Sequence, residues 1–122
     1  MFVNFSNHPS DRWSEEQLAA AREFGCDVYD MPFPSVDPHA TCDAIQVMAR
    51  VYVRRIVSAA PCVVLCQGEY TLAFAVAMGL MRLGITVVAA CSKRCVREYY
   101  DNGTVNKLVK YRFIQFRDYL PH

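Results

Sequence analysis

Short apolar runs alternate along the chain with longer segments in which apolar residues recur every three or four positions. The apolar runs have the length of β-strands and cover residues 2–6, 26–31, 62–66 and 85–91. The third run, Cys-Val-Val-Leu-Cys, is apolar throughout, which is typical of a strand covered on both faces of a parallel sheet. The pattern therefore predicts four strands.

Three helices are predicted between these strands. Ser14 and Gln17 form a capping-box pattern at the start of the first helix, which ends at Gly25. Apolar residues recur at helical spacing from about residue 43 to 58, which predicts the second helix. The third begins near Glu69 and carries no charge for three turns.

The last part of the chain predicts a β-hairpin, because Asn102-Gly103 is a favoured two-residue turn between two β-prone segments. Strands that alternate with helices imply right-handed crossovers. We therefore expect an α/β fold, a three-layer Rossmann-like sandwich with a mostly parallel sheet and a C-terminal β-hairpin. A chain of 122 residues suits a single domain over residues 1–122.

Composition adds an expectation about location. With 53% hydrophobic and 20% charged residues, the chain has the composition of a globular protein and not of a disordered one. Its start has no basic stretch before a long apolar run, so no signal peptide is predicted. The uncharged run at residues 70–81 is shorter than the roughly 18 residues of a membrane span. We expect a cytoplasmic protein that does not contact a membrane.

The cysteines predict neither disulfides nor a metal site. There are six, and without an export signal we expect reduced thiols. Two pairs have a C-x3-C spacing, whereas the usual zinc knuckle is C-x2-C. These pairs are Cys62/Cys66 and Cys91/Cys95.

Candidate binding residues follow the predicted strands. In open α/β sheets, ligands bind beyond the carboxyl ends of the strands, where loops and helix N-termini meet. This rule nominates three segments: Ser6-Asn7-His8, Gln67-Gly68-Glu69 and Ser92-Lys93-Arg94. Residues 91–122 hold seven basic and three acidic side chains, which favours an anionic ligand. The competing structural interpretation is that these residues only form turns, cap helices and carry solvated charge.

The uncharged third helix predicts a second copy of the chain. A helix that is apolar all round must be covered on both sides, and Phe74, Met78 and Met81 favour burial over a helix that exposes only small alanines. We expect a homodimer that forms through the helix at residues 69–83. A two-fold dimer would also suit a symmetric ligand.

Three stretches together resemble the small CRISPR-associated Rossmann-fold (CARF-like) proteins of type III CRISPR systems. They are FVNFSNHPS at 2–10, CQGEYTLAF at 66–74 and VVAACSKR at 87–94. The resemblance implies binding of a cyclic oligoadenylate, with cyclic tetra-adenylate as the first candidate, at a homodimer interface. Some members, called ring nucleases, cut the ring and others only bind it. No effector domain is predicted here, so degradation or sequestration of the messenger is the expected role.

The resemblance also implies roles for the nominated residues. The ribose 2′-hydroxyl can attack its own phosphate without a metal, so no metal and no cofactor are expected. His8 is the candidate proton carrier, and Lys93 and Arg94 would stabilise the developing charge. The ligand-binding set is Ser6, Asn7, Gln67, Gly68, Glu69 and Ser92. No long nucleic acid is expected as a partner.

Two other functional classes stay open from the sequence. One is a small-molecule enzyme similar to a nucleoside deoxyribosyltransferase, with Glu69 as the nucleophile. The other is a non-enzymatic interaction module whose apolar helix docks a different protein.

Overall fold

The computed structural model describes residues 1–119 and contains a five-stranded sheet in the order β2-β1-β3-β4-β5. The elements are β1 (Phe2–Ser6), α1 (Glu15–Arg22), β2 (Val28–Pro32), α2 (Cys42–Ser58), β3 (Val63–Cys66), α3 (Tyr70–Arg82), β4 (Thr86–Asp101) and β5 (Thr104–Asp118), with a 3-10 turn at Ser10–Arg12. Strands β1 to β4 pair in parallel and β5 pairs antiparallel with β4. The predicted α/β fold with a mostly parallel sheet and a C-terminal hairpin is confirmed.

Alternate residues of the strands enter two separate hydrophobic clusters. Val3 and Phe5 belong to a cluster with the buried residues of α2 and α3, and we call this the α2/α3 side of the sheet. Phe2 belongs to a cluster with Trp13 and Ala21 of the α1 region, which we call the α1 side. This division follows from the period of two along a strand, because neighbouring side chains leave opposite faces of the sheet.

The first helix begins and ends where the sequence predicts. The Ser14 hydroxyl accepts a hydrogen bond from the Gln17 backbone N–H at 3.2 Å, and Gly25 adopts a positive φ of 78° after the helix. The second strand covers Val28–Pro32, later than the predicted 26–31. It ends in a proline, which is tolerated because β2 lies at the edge of the sheet.

The fourth strand is much longer than predicted. Instead of a strand that ends at Cys91 followed by a separate hairpin, β4 runs continuously to Asp101 and pairs with β5 along its length. A bulge between Cys91 and Ser92 shifts the register without ending the strand. No glycine or proline interrupts residues 85–101, so nothing stops the strand before the turn at Asn102. Asn102 has φ 50°, and the glycine after it has φ 78°, as the predicted turn requires.

Two of the six cysteines are not the free thiols that we expected. Cys26 and Cys62 form a disulfide across 36 residues of sequence. Both precede strands that flank β1 on either side, so the sheet order brings them to one end, which their spacing in sequence does not reveal. The remaining cysteines are free. Among residues 1–119, no cluster of three or more His, Cys, Asp or Glu side chains could hold a metal ion. None of the described helices has the length and apolar character that crossing a membrane requires.

Candidate functional site

The carboxyl ends of β1, β3 and β4 meet at one edge of the sheet, which we call the carboxyl edge. Phe5 pairs with Cys66, and Leu65 pairs with Val88, so the three strands reach this edge together. The chain then leaves β1 towards the α1 side and leaves β3 towards the α2/α3 side. In such sheets the crevice between the two diverging connections is where ligands bind.

The loop after β1 is shaped by a buried polar network. The Ser6 hydroxyl donates to Asn4 Oδ1 at 2.6 Å and accepts from the His8 backbone N–H at 3.2 Å. Asn4 Nδ2 donates to the His8 carbonyl at 2.8 Å and to Asp30 Oδ1 at 2.9 Å. Ser6 therefore holds the loop in place from within, whereas the side chains of Asn7 and His8 are exposed at the edge. The His8 imidazole has no hydrogen-bond partner among the described residues.

Asp30 and Trp13 complete this network, and sequence reasoning missed it. The Asp30 carboxylate accepts from the Ser10 hydroxyl at 2.9 Å, and Trp13 Nε1 donates to the His8 carbonyl at 3.0 Å. The available signal was Asn4, a polar residue in the middle of the apolar strand FVNFS that is only 1% exposed. A buried amide of this kind must be hydrogen-bonded, so it points to partners nearby.

Gln67 and Gly68 are also occupied by contacts within the chain. The Gln67 side-chain carbonyl accepts from the Ala90 backbone N–H at 3.1 Å, which ties the end of β3 to β4. A Cβ on Gly68 would lie 2.5 Å from the ring carbons of Phe33. Gly68 is thus required by the buried Phe33 ring, which takes the space that a side chain at residue 68 would fill.

Glu69 is the N-cap of α3. Its carboxylate accepts from the backbone N–H groups of Thr71 and Leu72 at 3.1 and 2.8 Å, and the Thr71 hydroxyl lies 2.7 Å from both carboxylate oxygens. These hydrogen bonds, with that from Leu72 the largest cause, hold the pKa of Glu69 below its usual value. A carboxylate held in this way is a helix cap and is poorly placed to act as a nucleophile.

Lys93 and Arg94 lie in β4 and not in a loop, which corrects the third predicted segment. Ala90 packs on the α1 side, so Ser92 and Arg94 also face that side, while Lys93 faces the α2/α3 side. Both cations are exposed. They do not converge on a single phosphate, contrary to the expectation that they act together, because adjacent strand residues point in opposite directions.

Tyr70 is an exposed aromatic at the same edge that sequence reasoning missed. It directly follows the Glu69 cap, and 89% of its surface is exposed. An aromatic ring beside a crevice of this type offers a stacking surface for a nucleobase. The signal in the sequence was its place at the first position of a helix, where a side chain can reach past the strand ends.

Cys66 is unsuited to nucleophilic chemistry. Burial raises the pKa of its thiol to about 12. The Tyr119 hydroxyl donates to the Cys66 carbonyl at 2.6 Å, and burial also raises the pKa of this tyrosine to about 12. Both groups are neutral at physiological pH and contribute to packing beneath the carboxyl edge.

A groove of about 700 Å³ lies between α2 and α3. Its floor includes Phe74, which is 65% exposed, and three arginines line it: Arg50, Arg54 and Arg82. Helix α2 packs closely on α3, since a Cβ on Gly79 would lie 3.0 Å from Val53. The third helix is thus partly covered within the chain, and dimerisation through residues 69–83 stays a prediction.

One family model matches this chain. It is described as "Uncharacterized protein MJ1673 family" and matches residues 1–117. The match includes β1 to β4 and nearly all of β5. No curated protein and no solved structure matches the chain. The chain therefore belongs to the MJ1673 family.

Proposed function

We propose that the carboxyl edge binds a cyclic oligoadenylate, with cyclic tetra-adenylate as the first candidate. The observation that carries this proposal is the meeting of the Asn7-His8 loop, the Gln67–Tyr70 segment and the start of the β4–β5 hairpin at one edge of three adjacent strands. Helices on the two sides of this sheet also support a Rossmann-like three-layer arrangement, in which nucleotides bind at such an edge.

The exposed side chains at this edge suit the parts of an adenylate ring. Asn7 can hydrogen-bond a base edge or ribose, and the ring of Tyr70 can stack on adenine. Arg94 and Lys93 point to opposite sides of the sheet, so each would bind a different phosphate of a ring that lies across the edge. Gln67, Gly68, Glu69 and Ser6 shape the site through their contacts within the chain.

Cleavage of the ring would follow from the ligand's own chemistry. The 2′-hydroxyl oxygen forms a bond to the adjacent phosphorus while the bond from phosphorus to the 5′-oxygen breaks, which leaves a 2′,3′-cyclic phosphate and a 5′-hydroxyl. His8, whose imidazole has no hydrogen-bond partner among residues 1–119, would carry the proton from the attacking 2′-hydroxyl to the leaving 5′-oxygen. Arg94 would stabilise the charge on the phosphate from the side that the His8 loop occupies. A protein that lacks this step would sequester the messenger.

The test uses labelled cyclic tri-, tetra- and hexa-adenylate, with bound, free and linear species separated after incubation. We expect one of the three cyclic oligoadenylates to bind with a submicromolar or micromolar Kd. Arg94→Ala removes a charged contact worth about 1.5 kcal/mol or more, so this variant should have an at least tenfold weaker Kd. Lys110→Ala removes the same charge farther along the hairpin and should leave the Kd unchanged. If no cyclic oligoadenylate binds, or if the two variants lose affinity equally, the proposal is contradicted.

The alternative classes receive less support. Glu69 accepts hydrogen bonds from Thr71 and Leu72, which does not suit the nucleophile of a deoxyribosyltransferase-like enzyme. Turnover of a nucleoside that disappears in Glu69→Ala would restore that class. The exposed Phe74 in the groove between α2 and α3 keeps a partner-binding module as a second candidate, which purification with a bound partner protein would favour.

A further inference from the structure

The β4–β5 hairpin forms a two-stranded ribbon from Ser92 to Phe113, and one face of this ribbon is apolar and uncovered. This face is a different feature from the proposed ligand site. From Ser92 to Asp101 the ribbon extends over about 33 Å at roughly 3.3 Å per residue. Every described residue from Ser92 to Val105 is exposed. An isolated two-stranded ribbon is only marginally stable in water, so a ribbon of this length needs a surface to pack against.

The two faces of the ribbon differ in chemistry. On the α1 side the cross-strand pairs form what we call the apolar face: Ser92/Phe113, Arg94/Tyr111, Val96/Val109, Glu98/Lys107 and Tyr100/Val105. On the opposite side four cations and a few neutral residues form the basic face: Lys93/Arg112, Cys95/Lys110, Arg97/Leu108 and Tyr99/Asn106. This alternation is that of an antiparallel sheet with one face packed and one face in water.

The exposed residues of the apolar face are large. Tyr100 is 81% and Tyr111 is 70% exposed, and the valines between them are also exposed. At its base the face continues into the core, because Phe113 packs on Phe116 at 4.9 Å between ring centroids, and Phe116 contacts the α1-side cluster. The Phe113, Tyr111 and Val96/Val109 layers adjoin one another, and the Glu98/Lys107 pair separates them from the Tyr100/Val105 layer. Exposed apolar surface of this extent marks an interaction site.

We infer that the apolar face packs against the same face of a second copy of this chain. Charge complementarity about a two-fold axis favours this occupant. The two-fold axis lies in the plane between the two ribbons, beside the Val96–Val109 pair and perpendicular to the strands. This axis stacks β4 on β4 of the second copy, with the two strands running in opposite directions. Residue 94 then faces residue 98, so Arg94 meets Glu98 of the second copy, and by symmetry this contact forms twice.

The rest of the face matches under the same symmetry. Tyr111 faces Lys107 of the second copy, a cation over an aromatic ring, and Phe113 at the base faces the Tyr100 layer near the tip. Neither Arg94 nor Glu98 makes an ion pair within the described residues. Arg94, which is also assigned to a phosphate in the proposed ligand site, is the residue that the two proposals share. The basic face of each ribbon then points to water, as its composition requires.

A charge exchange tests the arrangement, with dimer dissociation followed by analytical ultracentrifugation. Arg94→Glu alone and Glu98→Arg alone each place like charges opposite each other, and we expect at least a tenfold weaker dimer in each. In an equal mixture of the two variants, both contacts join opposite charges, so a heterodimer should form with a Kd near that of the unmodified homodimer. Arg97→Glu changes the same charge on the basic face and should stay dimeric.

Circular dichroism would confirm that each variant is folded. Tyr111→Ala removes an exposed ring without changing charge, and it should also weaken the dimer at least tenfold. A monomeric unmodified protein, single variants that remain fully dimeric, or a mixture that does not recover association would each overturn the inference. Glu98 and Tyr111 lie outside the proposed ligand site, so their effects separate failure of the dimer from failure of ligand binding.

Discussion

Glu69 and Asn4 show that polar residues near a strand end can act mainly within the chain. Glu69 caps α3, and Asn4 holds the loop that carries His8. Glu69 lies beside the candidate site, so its residue type and position alone predict a ligand contact. Hydrogen-bond geometry separates the two roles, because a side chain whose oxygens already accept two or three bonds has little capacity left.

The cap at Glu69 predicts a pH-dependent contribution to stability. Because hydrogen bonds lower the pKa of Glu69 in the folded state, its contribution is present above the unfolded pKa, near 4.5, and is lost as the pH falls through the folded pKa. Glu69→Gln should therefore lower the thermal midpoint at pH 7 and have a smaller effect below pH 4.5. Glu15→Gln, which removes a carboxylate from the first turn of α1, is the matched control variant. An effect of Glu69→Gln that is the same at both pH values would contradict the cap.

Burial predicts a large difference in reactivity among the free cysteines. With a thiol pKa of about 12, Cys66 holds almost no thiolate at pH 8, whereas Cys42 and Cys95 are exposed. A thiol reagent at pH 8 should modify Cys42 and Cys95 in the folded protein and Cys66 only after unfolding. Peptide mass spectrometry would show this, and early labelling of Cys66 would contradict its buried position.

Among the elements, helices α1 and α3 and the Asn102-Gly103 turn could be predicted because caps and turn residues are local signals. The length of β4 could not be predicted, because a strand and a loop of mixed polarity have similar sequence patterns and only the pairing partner distinguishes them. Residues 92–101 pair with β5, and that long-range contact makes them a strand. The consequence for the site is direct, since Lys93 and Arg94 separate onto two faces.

Packing of Phe33 on Gly68 predicts a specific loss of stability. A methyl group at residue 68 would meet the Phe33 ring, so Gly68→Ala should cost about 1–3 kcal/mol in the free energy of unfolding. In a Phe33→Leu background the same change should cost less, because the ring is no longer there. Chemical denaturation of the four proteins gives both values. Equal costs in the two backgrounds would show that another contact, or backbone strain, is responsible.

For the whole molecule, the alternation of strands and helices predicts the α/β class, while strand order and the Cys26–Cys62 disulfide depend on which strands become neighbours. Sheet order places β1 between β2 and β3, and it brings the three nominated segments to one edge. The same order projects the β4–β5 ribbon beyond the sheet, where a second copy can pack. The proposed ligand and partner surfaces share Arg94, whereas Glu98 and Tyr111 belong to the proposed partner surface alone.

Binding at the carboxyl edge is tested most directly by a heteronuclear NMR titration of isotope-labelled protein with cyclic tetra-adenylate. The proposal predicts chemical-shift changes in the amides of Asn7, His8, Gln67 and Tyr70, with the amides of α2 unaffected. Shifts confined to the groove between α2 and α3, or no shifts at millimolar ligand, would contradict it.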